Sequence, residues 1–326
     1  MPRLPRPSRL IRPRPRGVSR PRIVVIGDLV LDVVLAPSES MVVGTDVPGR
    51  VLIVQGGSAA TTARWLGRLG AQASLVCAVG RDSAGRALVE AVRSDRVTPR
   101  VVRVAGARTG RIGVLVSPDG ERSFVQDRGA ALLLGPGDLR PEWFAGADAV
   151  HLPMYSLLGE PLGLAGRRSV DLGRAAGATV STDLSSIGPL LERGRRAARA
   201  LVTEIGPDLL FATAPETEAL LGSPRPDGLL EFASIAVIKR GERGATVLAR
   251  GTDGTPPLRF EVATRQVAAA DTTGAGDAFT AGFLVGWFAA RSAGRSTAAS
   301  LQRAALAGHR AATRQLTTPR PEIALD

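Results

Sequence analysis

A short run of small residues with one carboxylate near its end, DTTGAGD at residues 271–277, is the stretch best suited to chemistry. It follows a strand-like run at 260–262 and precedes an apolar run, 279–287, that predicts a buried helix. Small residues let a ligand approach the backbone, and the free N–H groups at a helix N-terminus favour a phosphate. Asp277 would repel that anion unless the carboxylate had a chemical task. The motif therefore predicts a phosphate site with a functional carboxylate beside it.

Several other catalytic patterns are absent from the sequence. The single lysine, Lys239, is followed by Arg240, so the Gly-Lys-Ser/Thr of a P-loop does not occur. The first strand leads into Gly27-Asp28 and not into Gly-x-Gly-x-x-Gly, which argues against a dinucleotide-binding fold. Two histidines and one cysteine do not make a zinc set, and no Gly-x-Ser-x-Gly elbow occurs. The chemistry is therefore expected to use carboxylates, backbone donors and a bound metal.

The composition is that of a globular protein with a substantial core. The 326 residues are 44% hydrophobic, which is enough for one sizeable domain or two modest ones. No run reaches the ~18 apolar residues that span a bilayer, and the N-terminus lacks the apolar stretch of a secretory signal. The single cysteine, Cys77, lies in an apolar run and is expected to be buried, so a cytoplasmic location is predicted.

The N-terminal stretch differs from the rest of the chain. Residues 1–22 contain eight arginines, six prolines and no acid, and so carry most of the net charge of +12. Such a composition cannot bury a core and predicts a disordered tail over residues 1–21. Three interpretations stay open: a nucleic-acid or membrane-surface role for the tail, a solvated extension, or a start codon assigned too far upstream.

Short apolar runs alternate with helical patterns along most of the chain, which predicts an α/β fold with a doubly wound, mostly parallel sheet flanked by helices. The continuous apolar character of these runs is typical of strands buried on both faces. Strands are predicted at 22–26, 73–79, 149–152, 179–183, 209–212 and 235–239. Helices are predicted at 62–69, 83–93, 161–176, 189–202, 215–221, 227–233 and 297–313.

Two segments, residues 33–55 and 101–128, interrupt this alternation with hairpin-like patterns rich in turn residues. They are predicted to pair as a small β-sheet lid over a site at the C-terminal ends of the central strands. A lid would exclude water from that site. The free edge of such a lid makes a homodimer plausible.

Gly56-Gly57 before a helix, together with the DTTGAGD motif, resembles the ribokinase-like (PfkB-type) family of small-molecule kinases. The match runs in order along residues 23–318. It includes VGRDSAG at 79–85, GER at 120–122, TEA at 217–219 and KRGERG at 239–244. The resemblance implies a ribokinase-like kinase domain over residues 22–318, followed by a C-terminal tail at 319–326. It also implies ATP and Mg²⁺ as cofactors and phosphorylation of a hydroxyl of a sugar or sugar derivative.

The resemblance implies a role for each matching position. Asp277 would be the general base that accepts the proton of the substrate hydroxyl. The backbone N–H groups of Gly274, Ala275 and Gly276 would form an anion hole for the phosphoryl oxygens. The remaining positions are Asp32, Gly56, Gly57 and Thr61 for the substrate; Gly241, Gly244 and Thr273 for the nucleotide; Glu218 for Mg²⁺ through water; and Asp271 for a monovalent cation such as K⁺, or alternatively a capping role.

Two departures from the family pattern bear on substrate and metal. Thr61 replaces the family's usual Asn, which leaves one hydroxyl in place of an amide. Pro215 replaces the Asn of an Asn-x-x-Glu motif, of which Glu218 is retained. Met154 and Tyr155 fall where some members carry a substrate-contacting acid, and an apolar wall there would suit a nucleoside. A nucleoside kinase and a non-catalytic ligand-binding member are therefore the alternatives to a sugar kinase.

Overall fold

The computed structural model of the chain describes residues 20–117, 121–251, 255–269 and 271–325. The predicted N-terminal tail, except for its last two residues, lies outside the described residues. So do the turn residues 118–120 of the predicted hairpin and Asp326 of the predicted C-terminal tail.

The described strands include one at each of the six predicted positions, four that form the small sheet of the predicted lid, and three more at the edges of the large sheet. In chain order they are β1 (Arg22–Ile26), β2 (Val30–Pro37), β3 (Gly49–Gly56), β4 (Gln72–Gly80), β5 (Thr98–Val104), β6 (Thr109–Val116), β7 (Arg122–Gly129), β8 (Ala149–Pro153), β9 (Thr179–Asp183), β10 (Leu209–Thr213), β11 (Ile235–Lys239), β12 (Ala245–Ala249) and β13 (Leu258–Val262). The described α-helices are α1 (Ser58–Arg68), α2 (Ser83–Ser94), α3 (Leu162–Ala175), α4 (Ile187–Leu191), α5 (Gly194–Ile205), α6 (Ala214–Leu221), α7 (Ala275–Ser292) and α8 (Thr297–Thr317).

Nine strands form the large sheet in the order β13-β12-β11-β10-β9-β8-β1-β4-β5. The strands from β11 to β5 in this order pair in parallel, whereas β12 and β13 are added antiparallel at one edge. Alternate residues of β1 enter different apolar layers: Ile23 and Val25 one layer, Val24 and Ile26 the other. Because both faces are covered, the central strands are mostly apolar, although β9 buries the polar residues Ser181, Thr182 and Asp183. The predicted doubly wound, mostly parallel sheet is confirmed.

The small sheet has the order β3-β2-β6-β7. β2 pairs antiparallel with β3 and parallel with β6, and β6 pairs antiparallel with β7. Val34, Val54 and Val114 form its own small apolar cluster. The predicted lid segment 101–128 was too long at its start, because β5 pairs in parallel with β4 at the edge of the large sheet. An edge strand has one partner and is half-exposed, so its pattern resembles that of a hairpin strand.

Two helix predictions were wrong in detail. The helix predicted at 189–202 is two helices, α4 and α5, because Gly194, the first residue of α5, has φ 83° and breaks the right-handed geometry there. The helix predicted at 227–233 is a 3-10 segment, Pro226–Glu231. Neither change moves a predicted site residue. No described helix is both long enough and apolar enough to cross a membrane.

Part of the segment predicted as a separate tail at 319–326 pairs with the small sheet. The Ile323 N–H donates to the carbonyl oxygen of Ile53 at 2.8 Å, and Glu322 forms a β-bridge with Val54. β3 is an edge strand of the small sheet, so its unpaired backbone groups accept this segment. The sequence pattern does not reveal this contact, because two prolines interrupt the segment. Part of the lid edge is thereby covered by the same chain.

Candidate active site

Two cavities lie at the C-terminal ends of the parallel strands, where ligands bind in open α/β sheets. The lid-side cavity is about 430 Å³, and the α8-side cavity is about 480 Å³. Both are lined by Lys239 and Gly276, so they meet at the first turn of α7. The lid-side cavity is lined among others by Asp28, Asp32, Gly57, Asp183, Glu216 and Asp277. The α8-side cavity is lined among others by Gly241, Gly244, Phe279, His309, Ala312 and Leu316.

Asp277 lies in the first turn of α7 and lines the lid-side cavity, next to Gly276, which lines both cavities. The Ser58 hydroxyl at the start of α1 donates to Asp277 Oδ1 at 2.5 Å. Asp277 Oδ2 has no hydrogen-bond partner among the residues that the structure describes. One carboxylate oxygen is therefore held by the protein while the other is open to a ligand.

Burial raises the pKa of Asp277 to about 7. The negative charges of Asp183 and Glu216 act in the same direction, whereas the Ser58 hydrogen bond and the positive charge of Lys239 oppose the shift. A carboxyl group with a pKa near neutrality is suited to accept a proton at physiological pH. This electrostatic setting distinguishes Asp277 from an ordinary acidic residue in a helix's first turn.

Asp183 and Lys239 form an ion pair at the ends of β9 and β11. Lys239 Nζ donates to Asp183 Oδ2 at 2.5 Å, and the Thr280 hydroxyl donates to the same oxygen at 3.0 Å. Burial alone would lower the pKa of Lys239, but Asp183 and Glu216 raise it, so the lysine stays charged. Asp183 Oδ1 is buried without a hydrogen-bond partner among the described residues. A buried carboxylate oxygen normally accepts a hydrogen bond or binds a cation, and no described side chain provides either for Asp183 Oδ1.

The N-terminus of α7 offers backbone donors to the cavities. The Ala275 N–H donates to the Thr272 carbonyl at 3.2 Å, whereas the N–H groups of Gly274 and Gly276 have no acceptor among the described residues. Gly274 has φ 77°, and a Cβ there would lie 2.9 Å from Thr61 Cγ2. Glycine is therefore required for both conformation and space. Of the predicted anion-hole residues, Gly274 and Gly276 carry the free amides.

The four predicted substrate residues, Asp32, Gly56, Gly57 and Thr61, all line the lid-side cavity. Asp32 is buried and accepts a hydrogen bond from Arg320 Nη1 at 3.0 Å.

Asp28 also lines the lid-side cavity, and its carboxylate accepts two hydrogen bonds, of 2.8 and 2.9 Å, from Arg128. The Arg128 guanidinium also lies 4.3 Å from the centre of the Tyr155 ring. Tyr155 lines the lid-side cavity together with Phe124. The cavity therefore combines fixed carboxylates with an aromatic wall.

The predicted nucleotide residues divide between the two cavities. Gly241 and Gly244 line the α8-side cavity, whereas Thr273 lines the lid-side cavity and its neighbour Thr272 lines the α8-side cavity. His309 donates through Nε2 to the Val262 carbonyl at 3.1 Å if that nitrogen carries the proton. The apolar residues of the α8-side cavity suit a flat, hydrophobic base. They are Val267, Ala268, Ala269, Phe279, Ala312 and Leu316.

The glutamate that lies in the cavity is not the one predicted as the Mg²⁺ residue. Glu218 is exposed and lines neither cavity, whereas Glu216 lines the lid-side cavity. Glu216 also caps α6, since its Oε2 accepts from the Thr213 N–H at 2.7 Å and its Oε1 from the Ser186 N–H at 3.2 Å. Within the described ranges, no group of three or more His, Cys, Asp or Glu side chains is arranged to hold a metal by itself.

Asp271, predicted to hold a monovalent cation, is paired with two arginines. Arg122 Nη1 lies 3.3 Å from Asp271 Oδ1, and Arg320 Nε lies 3.1 Å from Asp271 Oδ2. The Thr273 N–H also donates to Oδ1 at 2.8 Å. Although partial burial opposes it, these hydrogen bonds and positive charges lower the pKa of Asp271. A role in K⁺ binding stays a prediction.

Sequence reasoning missed several residues that the fold brings to the site. The sequence predicts no role for Lys239 beyond the absence of a P-loop. Its signal was its position at the end of a predicted central strand, which Asp183 shares. Ser58, which follows the Gly56-Gly57 turn, had the same kind of signal. Arg320 had none, because it lies beyond the last helix.

The sheet, the small lid and a carboxylate beside the junction of two cavities define a small-molecule kinase of the ribokinase type. The sequence profile described as pfkB family carbohydrate kinase matches residues 20–323, and the chain belongs to this family. Fructokinase-1 of Zea mays is 31% identical over 279 residues, which cover 82% of this chain and 83% of that protein. The chain is therefore an ATP-dependent carbohydrate kinase.

Solved structures show the same fold. Adenosine kinase from Sinorhizobium meliloti superposes with a TM-score of 0.78 at 23% identity, covering 94% of this chain and 98% of that one. A putative ribokinase II from E. coli in complex with ATP and Mg²⁺ has a TM-score of 0.75 at 21% identity, covering 92% and 94%. The ribokinase-like fold is thus shared almost from end to end.

Proposed function

We propose that this kinase transfers the γ-phosphoryl group of ATP to a hydroxyl of a neutral sugar, with Asp277 as the general base. The observation that carries the proposal is the position of Asp277: it lines the lid-side cavity and directly follows Gly276, which lines both cavities. ATP would occupy the α8-side cavity and the sugar the lid-side cavity. The hydroxyl would then attack across the boundary between them.

The chain's own residues divide the work of the reaction. Asp277 Oδ2 accepts the proton of the sugar hydroxyl as its oxygen attacks phosphorus, and the elevated pKa of this carboxyl suits that transfer. The N–H groups of Gly274 and Gly276 donate to the phosphoryl oxygens, where negative charge develops. Lys239, which lines both cavities, supplies a positive charge beside Gly276.

The residues beside Asp277 fit a magnesium ion. Mg²⁺ prefers oxygen ligands and keeps several of its waters, so few protein ligands are needed. Asp183 Oδ1 is a buried carboxylate oxygen without a partner in the described part of the chain, and Glu216 lies in the same cavity. These two residues would hold the ion through its waters. When bound, the ion neutralises charge on the transferred phosphoryl group.

The charges of the lid-side cavity favour a neutral acceptor. Asp28, Asp32, Asp183, Glu216 and Asp277 line it, against two lining cations, Lys239 and Arg320, and a third, Arg128, that is paired with Asp28. A phosphate or carboxylate on the acceptor would meet this excess of negative charge without a free cation to offset it. Hydroxyl groups, in contrast, donate well to fixed carboxylates. A free sugar therefore fits the cavity better than a sugar phosphate or a sugar acid.

A nucleoside is the second candidate acceptor, and one observation favours it. Phe124 and Tyr155 line the lid-side cavity and would stack on a nucleobase. Arg128 already covers one face of the Tyr155 ring, with its guanidinium carbon 4.3 Å from the ring centre. The aromatic wall is thus partly used within the protein, and the free sugar remains the preferred acceptor.

The test is Mg²⁺-dependent consumption of ATP with ketoses, aldoses, nucleosides and sugar phosphates as acceptors. We expect turnover with a free sugar and a loss of kcat of about 10²–10⁴-fold in Asp277→Asn. Asp171→Asn, an exposed aspartate on α3, is the matched control and should retain activity. Turnover at the wild-type rate in Asp277→Asn would refute the base assignment.

A thermal-shift panel separates catalysis from mere binding, because any ligand that binds the native state raises the melting temperature. Sugars that stabilise the protein but are not phosphorylated would favour a non-catalytic ligand-binding member. A nucleoside that outperforms every sugar in kcat/KM would favour the nucleoside kinase.

A further inference from the structure

Arg320 comes from the end of the chain and lies in the lid-side cavity with a side chain only 16% exposed. Its Nη1 donates to Asp32 Oδ2 at 3.0 Å, and its Nε donates to Asp271 Oδ2 at 3.1 Å. Asp32 belongs to β2 of the small sheet, whereas Asp271 belongs to the loop before α7. One guanidinium group therefore connects the lid to the loop that forms the anion hole.

The segment that carries Arg320 is fixed on both sides. After Arg320, the Ile323 N–H donates to the Ile53 carbonyl of β3 at 2.8 Å. Before it, Gln315 of α8 donates through Nε2 to the Thr273 carbonyl at 2.8 Å. Gln315 Oε1 in turn accepts from the Trp65 indole N–H at 2.8 Å. Arg320 is thus anchored in place between the small sheet and the site.

The charge state of Asp32 depends on this arginine. Burial raises the pKa of Asp32, and the charge and hydrogen bond of Arg320 oppose the rise, while the nearby negative charge of Asp271 adds to it. Without Arg320, Asp32 would be a buried carboxylate beside another acid and without a cation. A protonated Asp32 would accept fewer hydroxyl hydrogen bonds from a sugar.

We propose that Arg320 is a positioning residue for acceptor binding, which holds Asp32 toward the sugar hydroxyls and ties the small sheet to the loop before α7. The inference rests on the proposed function, because it assigns the lid-side cavity to the sugar. Arg320 acts through Asp32 and does not touch the reacting atoms. The end of the chain is therefore part of the acceptor site.

A second arginine provides an internal comparison. Arg122 of β7 donates to the hydroxyls of Thr272 and Thr273 and lies 3.3 Å from Asp271 Oδ1. It holds the same loop but makes no described contact with Asp32. Loss of Arg122 should therefore disturb the phosphoryl end and lower kcat. Loss of Arg320 should instead weaken binding of the acceptor.

The experiment compares Arg320→Ala, Arg320→Lys and Arg122→Ala with the wild type, using the best sugar from the acceptor panel. We expect Arg320→Ala to raise KM for the sugar by about tenfold or more, the effect of losing a charged hydrogen bond, with KM for ATP within about twofold. Arg320→Lys should recover part of the loss, since lysine keeps the positive charge but cannot reproduce the guanidinium's hydrogen bonds to both Asp32 and Asp271. Arg314→Ala, an exposed arginine on α8, is the control.

A purely structural role for Arg320 would change both KM values and the melting temperature together, and that result would overturn the inference. An unchanged KM for the sugar in Arg320→Ala would also overturn it while leaving the proposed function intact. A double variant with Asp32→Asn should lose little more than either single variant, because the two residues act as a unit. Failure of the wild type to phosphorylate any sugar would overturn both proposals.

Discussion

Lys239 Nζ donates to Asp183 Oδ2 at 2.5 Å and lies close to Gly276, the second residue of α7. A Cβ atom at Gly276 would lie 3.2 Å from this same Nζ. The side chain of the only lysine thus fills the space that the missing Cβ leaves open. The ion pair therefore packs against Gly276 of the proposed anion hole, while Lys239 also lines both cavities.

Lys239→Met should destabilise the protein by about 3–5 kcal/mol, because it leaves Asp183 as a buried charge without its partner. Chemical unfolding of the ligand-free protein measures this free energy. The double variant Asp183→Asn/Lys239→Met should recover part of the loss, since no charge is then left unpaired. A Lys239→Met protein as stable as the wild type would show that the ion pair is not desolvated.

The fall in kcat/KM at low pH should reflect protonation of Asp277. Because the carboxylate form accepts the proton and burial raises its pKa to about 7, kcat/KM for the sugar should fall about tenfold per pH unit below that value and level off above it. The pH profile of kcat/KM measures the pKa of the free enzyme. A profile that stays flat down to pH 5 would contradict the assignment.

Ser58→Ala should move this fall in kcat/KM to higher pH. The Ser58 hydroxyl stabilises the Asp277 carboxylate through a 2.5 Å hydrogen bond and so lowers its pKa. Without this hydrogen bond, burial and the acidic neighbours should raise the pKa of Asp277 further. Ser94→Ala, which removes an exposed hydroxyl of α2, serves as the control and should keep the wild-type profile. A shift toward lower pH would refute the role of Ser58.

Gly274→Ala should abolish most of the activity, and Gly294→Ala should not. Gly274 has φ 77° and Gly294 has φ 69°, so alanine at either position should lower the stability of that backbone conformation by about 1–2 kcal/mol. Only at Gly274 would the new Cβ also meet another residue, 2.9 Å from Thr61 Cγ2, whereas at Gly294 it would meet nothing within 4 Å. Steady-state kinetics with melting temperatures separates the two effects. Equal losses of activity would show that strain alone matters.

The phosphoryl end of the site was predictable because its residues are contiguous. DTTGAGD places Asp277, the proposed base, and the free amides of Gly274 and Gly276 within one turn before and after the start of α7, so one local pattern contains them all. The fold class was predictable for a similar reason, since buried parallel strands are short apolar runs. Local patterns therefore determined both results.

The acceptor end depends on contacts between distant segments. Asp32 and Arg320 are 288 residues apart, and no local pattern links a β2 carboxylate to an arginine beyond α8. β5 was assigned to the lid because a half-exposed edge strand has the same alternation as a hairpin strand. Contacts of this kind follow from packing in three dimensions, which periodicity along the chain does not encode.

Metal dependence should distinguish Glu216, which lines the lid-side cavity, from the exposed Glu218. We expect Glu216→Gln to raise the Mg²⁺ concentration needed for half-maximal activity, because a carboxylate near the metal waters is replaced by an amide. Gln at this position still caps α6, so the helix start should survive the change. Glu218→Gln is the matched control and should leave the Mg²⁺ dependence unchanged. The reverse pattern would return the metal role to Glu218, the residue that the family resemblance implies, and would require α6 to turn toward the cavity when ATP binds.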